Sequence, residues 1–225
     1  MKSSADTNAS LLPHNDTPKR DTKYHVGLRA LEPEDLDLLY AIENDPGTWA
    51  STANAAFYSR YVLKQYIAAA ANDIFADGQL RLVATLQMPQ AEGASSCGDG
   101  TTSFGDGTLS SGEGTLPCDE GKRQSVPIGL ADMTGFDPMH QRAEIGLIML
   151  PAYRGKGLAV SVLNCLVAHA QQLHIHQLWA TVAETNAAAK AMMAAARFYP
   201  SALLRQWLRT DANYVDARIW QRIID

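Results

Sequence analysis

A glycine-rich turn within residues 144–159, EIGLIMLPAYRGKGLA, constrains the fold of this chain more than any other stretch. An apolar pattern typical of a buried strand ends at Pro151, and a helical pattern begins directly after the turn. The first N–H groups of a helix have no intrahelical acceptor and carry the positive end of the helix dipole, so they favour anions. The turn therefore predicts a phosphate site built from Arg154, Gly155, Lys156, Gly157, Leu158, Ala159 and Val160.

Two common phosphate motifs do not fit this turn. A P-loop needs a serine or threonine after its lysine, whereas Lys156 is followed by Gly157. A Rossmann turn needs a third small residue where Val160 stands, and an acid about 20 residues further on. The remaining alternative to a phosphate site is a plain strand-to-helix connection in which the glycines only make the turn tight.

Length and composition predict one domain. A chain of 225 residues with 46% hydrophobic residues can bury one sizeable core and is short for two. Residues 1–23 are polar and mixed in charge, so they predict a flexible tail in front of a single domain over 24–225. No stretch approaches the roughly 18 apolar residues of a membrane span, and the N-terminus lacks the apolar core of a signal peptide. We therefore expect a cytoplasmic protein with no membrane partner.

Charge and cysteine content narrow the classes of partner. The net charge of −5 at pH 7 argues against nucleic acid and favours a cationic substrate. The three cysteines, Cys97, Cys118 and Cys165, cannot all pair and have no metal-ligand spacing, so no metal site is predicted.

Residues 88–125 differ sharply in composition from their surroundings. The segment is rich in glycine, serine, threonine and acids, and it contains the tetrapeptide GDGT twice. It predicts a flexible insertion between neighbouring strands of the domain, because the entropic cost of a loop grows slowly with its length. A calcium-binding turn repeat is the alternative, but the segment lacks the long regular array of such repeats.

Apolar periodicity and turn residues give the order of the remaining elements. Strands are predicted at 24–31, 79–87, 127–136, 142–150, 177–182, 202–209 and 214–222, and helices at 32–43, 59–71, 157–173 and 186–197. Ser59 and Asn186 are predicted to cap the second and the last of these helices. The second helix is expected to bury Tyr61, Val62, Tyr66 and Ile67, and the strand at 79–87 is expected to have one buried face. The order β-α-α-β-β-β-α-β-α-β-β predicts an α/β fold, a mixed sheet with helices on both faces.

Five stretches resemble the GNAT superfamily of N-acetyltransferases. They are the R-x-x-G-x-A pattern from Arg154 to Ala159, LRALEPEDL at 28–36, HQRAEIG at 140–146, NAAAKAMMAAARF at 186–198 and NYVD at 213–216. By these motifs the nearest branches are the spermidine N-acetyltransferases and the ribosomal-protein N-terminal acetyltransferases. The resemblance implies a GNAT-like acyl-CoA N-acyltransferase fold with a splayed central sheet. It also implies transfer of an acetyl group from acetyl-CoA to a primary amine of a polyamine-like small molecule or a protein N-terminus.

The same resemblance implies roles for particular residues. The main chain of Leu147, Ile148 and Met149 would hold the pantetheine arm and polarise the thioester carbonyl, and the 154–160 loop would bind the pyrophosphate. Asn186 would contact the pantetheine or cysteamine end. Glu144 would act as the general base, commonly through a water. The alternative for Glu144 is a surface or ion-paired carboxylate beside Arg142.

The chain departs from the family pattern at Met193, which stands where the family places a tyrosine that protonates the leaving thiolate. Methionine has no proton to donate, so Met193 would only line the coenzyme site, and Tyr199 is the nearest phenol in sequence. On this ground Met193→Tyr is expected to raise turnover. A rival hypothesis is an acyl-CoA-binding regulatory protein with little or no turnover, and a weaker one is an interaction module that recruits a partner through its acidic loop.

The segment at 48–57, TWASTANAAF, replaces the acidic stretch of the spermidine enzymes, so the sequence leaves the acceptor amine open. An edge strand of the predicted sheet offers a surface for a homo-oligomer.

Overall fold

Seven strands form one mixed sheet in the computed structural model, which describes residues 25–47, 57–87, 125–210 and 213–224. The strands are β1 (His25–Ala30), β2 (Leu80–Gln87), β3 (Ser125–Asp137), β4 (Arg142–Met149), β5 (Gln177–Ala183), β6 (Tyr199–Arg209) and β7 (Tyr214–Ile223). The helices are α1 (Leu36–Glu43), α2 (Arg60–Ala69), α3 (Ile74–Asp77), α4 (Leu158–Gln172) and α5 (Ala187–Ala195). The strand order across the sheet is β1-β2-β3-β4-β5-β7-β6. The predicted fold class and element order are confirmed. Two short helices in the described residues were missed, α3 and a 3-10 turn at Pro151–Tyr153.

Capping residues explain where the helices begin. The Val62 N–H donates to Ser59 Oγ at 3.2 Å ahead of α2, and the Ala189 N–H donates to Asn186 Oδ1 at 2.9 Å ahead of α5. Both caps were predicted from the sequence. The start of α4 differs, because Gly157 occupies its cap position in a left-handed conformation and offers no capping side chain.

The two faces of the sheet are covered by different helices. On one face, called the α4 face below, α4 and α5 pack on a large cluster of buried apolar residues that includes Leu82, Ile145 and Leu178. On the other face, called the α1 face, α1 and α2 cover a smaller cluster that includes Val83 and Leu130. Alternate residues of a strand point to opposite faces, so each central strand contributes to both clusters.

Two expectations about burial differ from the structure, one for the strand β2 and one for the helix α2. The strand β2 is buried on both faces, since α1 and α2 cover Val83 as completely as the α4 face covers Leu82. In α2, Ile67 is buried as expected and Tyr66 packs partly buried against the same cluster, but Leu63 is the other buried residue, and Tyr61 and Val62 are exposed. The stripe chosen from the sequence therefore lay about one residue off the true inner stripe.

Several predictions lie outside the described residues. They concern the tail at 1–23, the insertion at 88–125 and the segment at 48–57. Of these residues, only Ser125, which begins β3, and Phe57, which is exposed, are described. Within the four described ranges, no helix combines the length and the apolar character needed to cross a membrane.

Candidate functional site

A wedge opens between β4 and β5. These parallel strands pair only at Arg142–Gln177, Ala143–Leu178 and Glu144–Trp179. Beyond that point β4 continues to Met149 and β5 to Ala183, yet no further pairing joins them. The main chain of β4 therefore pairs with β3 on one side and, among the described residues, borders an open gap on the other. The predicted splay of the central sheet is confirmed, and Glu144 lies at its apex.

The glycine loop joins the open end of β4 to α4. Gly155 and Gly157 have φ angles of 72° and 77°, a left-handed conformation that glycine adopts without the cost other residues bear. A Cβ added at either glycine would meet nothing within 4 Å, so the space above the loop is open. Since no side chain caps α4, the N–H groups of its first turn are available to an anion.

The two basic residues of the loop are held differently. Arg154 Nε donates to the Met149 carbonyl oxygen at 2.9 Å, which ties the guanidinium to the end of β4. Lys156 Nζ lies 5.6 Å from the centre of the Tyr153 ring. Both cations belong to the loop that leads directly into α4, so they add positive charge near the N-terminal end of that helix.

The Arg154 contact engages one acceptor position of the Met149 carbonyl oxygen, and the Met149 side chain is buried in the cluster of the α4 face. A role of the Met149 main chain in holding pantetheine stays a prediction. Leu147 and Ile148 remain on the stretch of β4 that borders the wedge.

Glu144 is half-buried and points to the α1 face. Burial raises the pKa of the Glu144 carboxyl group, because a carboxylate is less well solvated there, and a hydrogen bond with Thr181 partly offsets this rise. Thr181 lies on β5, so this bond spans the apex of the wedge. The expected alternative, an ion pair with Arg142, does not form, since Arg142 pairs with Asp137 at 3.1 Å.

Asn186 lies at the far side of the wedge, in the turn between β5 and α5. Its Oδ1 is used as the helix cap, which leaves its amide N–H₂ group to donate to a ligand. The turn is anchored through Glu184, whose carboxylate accepts from Arg218 and from Lys190. Arg218 and then Lys190 hold the pKa of Glu184 below its ordinary value.

The two residues considered for the proton-donor role lie in unlike places. Met193 is 2% exposed and packs within the cluster of the α4 face. Tyr199 is 68% exposed on β6, and the pairings Tyr199–Gln221, Gln221–Trp179 and Trp179–Glu144 place it three strands from Glu144, about 14 Å at the usual strand spacing. Its phenol would have to cross β5 and β7 to reach the wedge, so the geometry disfavours Tyr199 as the proton donor.

Sequence reasoning missed two features of the α1 face near Glu144. One is Thr181, and the other is a buried ion pair between Arg81 and Asp132, in which Arg81 Nε lies 2.9 Å from Asp132 Oδ1. The alternation within each strand could have placed these residues on one face, but only the register between strands brings them together. No group of three metal-ligating side chains occurs in the part of the chain that the structure describes.

A family model described as an acetyltransferase (GNAT) domain matches residues 25–199. The match covers most of the chain, so this protein belongs to the GNAT acetyltransferase family and is an acetyltransferase. No curated protein sequence matches the chain significantly.

Solved structures with the same fold include the spermidine N-acetyltransferase from Vibrio cholerae in complex with CoA and spermine. It shares 18% sequence identity and a TM-score of 0.66, over 88% of this chain and 95% of that one. A dodecameric structure of the Vibrio cholerae enzyme in an intermediate state shares 19% identity and a TM-score of 0.58, over 88% of this chain and 93% of that one. At such identities the likeness establishes the fold alone.

Proposed function

We propose that this enzyme transfers an acetyl group from acetyl-CoA to a primary amine of a small molecule or of a protein N-terminus. The observation that carries the proposal is the wedge between β4 and β5, with a half-buried carboxylate, Glu144, at its apex. A gap in a sheet leaves main-chain donors free at the place where a thioester and its attacking amine would meet.

The coenzyme would follow β4 from the apex of the wedge to the glycine loop. Its pyrophosphate would accept from the first-turn N–H groups of α4, at Leu158, Ala159 and Val160, beside the charges of Arg154 and Lys156. The pantetheine arm would lie along Leu147 and Ile148, with Asn186 across the wedge. A main-chain N–H aimed at the thioester oxygen would stabilise the oxyanion that forms on attack.

The reaction begins with a proton transfer. An alkyl amine has a pKa near 10 and is almost entirely protonated at neutral pH, so it must lose a proton before it attacks. Glu144, directly or through a water, takes that proton. The amine nitrogen then forms a bond to the thioester carbon, the carbon–sulfur bond breaks, and the thiolate leaves and takes up a proton. A base is most effective when its pKa lies near the working pH, and burial moves the pKa of Glu144 in that direction.

The acceptor is defined here only as a primary amine. The Vibrio cholerae neighbour is a spermidine N-acetyltransferase, which supports a small polycationic acceptor. A protein N-terminus has the same nucleophile and remains within the proposal. A homo-oligomer is also proposed, because β6 is an edge strand of the sheet and that neighbour has a dodecameric form.

One observation favours a second candidate, a protein that binds acyl-CoA without turnover. Met193 is enclosed in the core and Tyr199 faces solvent three strands away, so neither supplies a proton to a departing thiolate. A thiolate leaves readily without this help, and for that reason we favour the enzyme.

The experiment that separates the two candidates is release of free thiol from acetyl-CoA across a panel of primary amines and N-terminal peptides. Amine-dependent release supports the proposed function. Thermal stabilisation by CoA without release for any acceptor supports the non-catalytic candidate.

A further inference from the structure

A buried ion pair lies beside Glu144 on the α1 face. Arg81 donates through Nε to Asp132 Oδ1 at 2.9 Å and through Nη2 to Asp132 Oδ2 at 3.1 Å. It also donates through Nη1 to Glu43 at 2.6 Å. The Arg81 guanidinium lies 5.5 Å from the centre of the Tyr66 ring. Asp132 is 9% exposed, and its position on the sheet is fixed by these contacts.

The cluster of Arg81, Asp132 and Glu43 is negative overall, because two carboxylates share the one guanidinium of Arg81. One guanidinium faces two carboxylates, those of Asp132 and Glu43, so the three groups together carry one net negative charge when ionised. Charges in a buried site are screened less than charges in water, so the Asp132 carboxylate would attract a cationic ligand that reached it.

Gly146 lies directly opposite Asp132. The two residues are partners in the pairing of β3 with β4, and a Cβ on Gly146 would lie 3.5 Å from Asp132 Cβ and 3.6 Å from Asp132 Oδ2. These are ordinary contact distances, so a side chain would fit but would fill the space beside Oδ2. A glycine in the interior of a strand weakens it and often marks a place where a ligand approaches closely.

Gly146 differs in this respect from Gly129 on β3. A Cβ on Gly129 would lie 2.2 Å from the Ile148 carbonyl oxygen, so packing against the main chain requires glycine there. Packing does not require glycine at Gly146, and its φ lies outside the left-handed range. What the glycine at 146 provides is open space on the face that also carries Glu144.

Asp132 and Glu144 lie near each other on the α1 face. Glu144 lies two residues before Gly146 on the same face of β4, so Asp132 and Glu144 are diagonal neighbours, about 7–8 Å apart at their Cα atoms. A ligand over Gly146 would therefore lie between the two residues.

We propose that Asp132, held by Arg81, binds the protonated acceptor amine over Gly146 and presents it to Glu144. This inference rests on the proposed function and adds to it the residue that selects the acceptor. The ammonium donates one hydrogen bond to Asp132 Oδ2, and Glu144 takes another of its protons before attack. The site therefore favours an unhindered primary alkylammonium over neutral nucleophiles, which gain nothing from a second carboxylate.

The test measures amine binding without turnover. n-Butylamine and 1,4-diaminobutane are titrated calorimetrically into the protein saturated with CoA, which carries no acetyl group to transfer. Gly146→Ala adds one methyl group over the site and leaves the ion pair intact. We expect it to weaken amine binding at least tenfold, while the melting temperature and the stabilisation by CoA stay unchanged. Asp132→Asn keeps the shape of the side chain and removes its charge, and we expect an equal or larger loss.

Gly27→Ala is the matched control. It adds the same methyl group to β1, where a Cβ would lie 3.3 Å from Thr85 Oγ1, and it should leave amine binding within twofold of the wild type. If Asp132→Asn does not fold, Gly146→Ala decides the question.

Three results would overturn the inference. The wild type and Gly146→Ala could bind the amines equally well, the wild type could bind neither amine, or Gly146→Ala could unfold. Amine binding with the expected losses, but no thiol release from acetyl-CoA for any acceptor, would uphold the inference and count against the proposed function.

Discussion

The two faces of the sheet carry the two halves of the proposed site, and they are built in different ways. On the α4 face, the proposed coenzyme site consists largely of one contiguous stretch, residues 154–160, above a large apolar cluster. On the α1 face, Arg81, Asp132, Glu144 and Thr181 come from four different strands and meet only through strand register. A site formed by consecutive residues can be recognised from the sequence, whereas the contacts that strand register creates around Glu144 cannot.

The largest effect is expected on the α1 face, from Glu144→Gln. The change keeps the size of the side chain and removes the proton acceptor, so we expect a rate loss of about 10² to 10⁴. The measurement is thiol release at saturating acetyl-CoA and pH 7. Glu34→Gln, at an exposed position, serves as the control and should retain full activity. A Glu144→Gln variant with wild-type rate would remove Glu144 from the chemistry.

The corresponding change on the α4 face is Gly157→Asp, which places a side chain and a negative charge at the first turn of α4. In the wild type, CoA at 100 times its Kd should stabilise the fold by about 2.7 kcal/mol, or about 5 to 11 °C in Tm for a chain of this size. The variant should lose this shift. Gly78→Asp is the matched control, since Gly78 also has a left-handed φ, 66°, and open space around it. Full stabilisation by CoA in Gly157→Asp would contradict the loop assignment.

A smaller effect is expected within the core, from Met193→Tyr. Sequence comparison alone favours a gain in turnover from this change, but Met193 is almost fully enclosed. Inserting a larger, hydroxylated ring into a packed site typically costs about 1 to 3 kcal/mol, so we expect a corresponding loss in the free energy of unfolding. Chemical denaturation measures it. A stable variant with raised turnover would show that the ring reaches the wedge.

The smallest effect is expected from Tyr199→Phe, which removes a hydroxyl group three strands from the wedge. Exposed substitutions of this kind usually change stability by no more than about 0.5 kcal/mol, and we expect thiol release within about twofold of the wild type. A strong loss of rate, above all at high pH, would instead make Tyr199 the proton donor.

The contrast between the two faces also explains which features of the fold and the site could be predicted from the sequence. The glycine loop and the caps Ser59 and Asn186 depend on neighbouring residues in the chain, and the structure contains each of them as predicted. The missed features, Thr181 as the partner of Glu144 and the Arg81–Asp132 pair, depend on which residues face each other across strands. That register is fixed by the whole sheet, not by any local pattern.

The misplaced buried stripe of α2 has a similar origin. The inner stripe of α2 was misplaced because Tyr61 and Val62 are apolar in type but lie where neither the sheet nor α1 covers them. Apolar character alone does not decide which residues become buried.

The central claim is that Glu144 and its partners on the α1 face form the acid–base site. The measurement that tests it most directly is the pH dependence of kcat/KM for the wild type and for Thr181→Val. The values are calculated on the concentration of protonated amine, the form that the site is proposed to bind, so that titration of the acceptor does not enter. Thr181 stabilises the ionised carboxylate and so lowers the pKa of Glu144, while burial raises it.

Removing the hydroxyl group of Thr181 should therefore raise that pKa further. The account predicts that activity falls toward acid with an inflection above the ordinary Glu pKa of about 4.3, and that Thr181→Val moves this inflection to higher pH with the plateau retained. An inflection at the same pH in the wild type and in Thr181→Val would contradict the account. An inflection that persists in Glu144→Gln would contradict it as well.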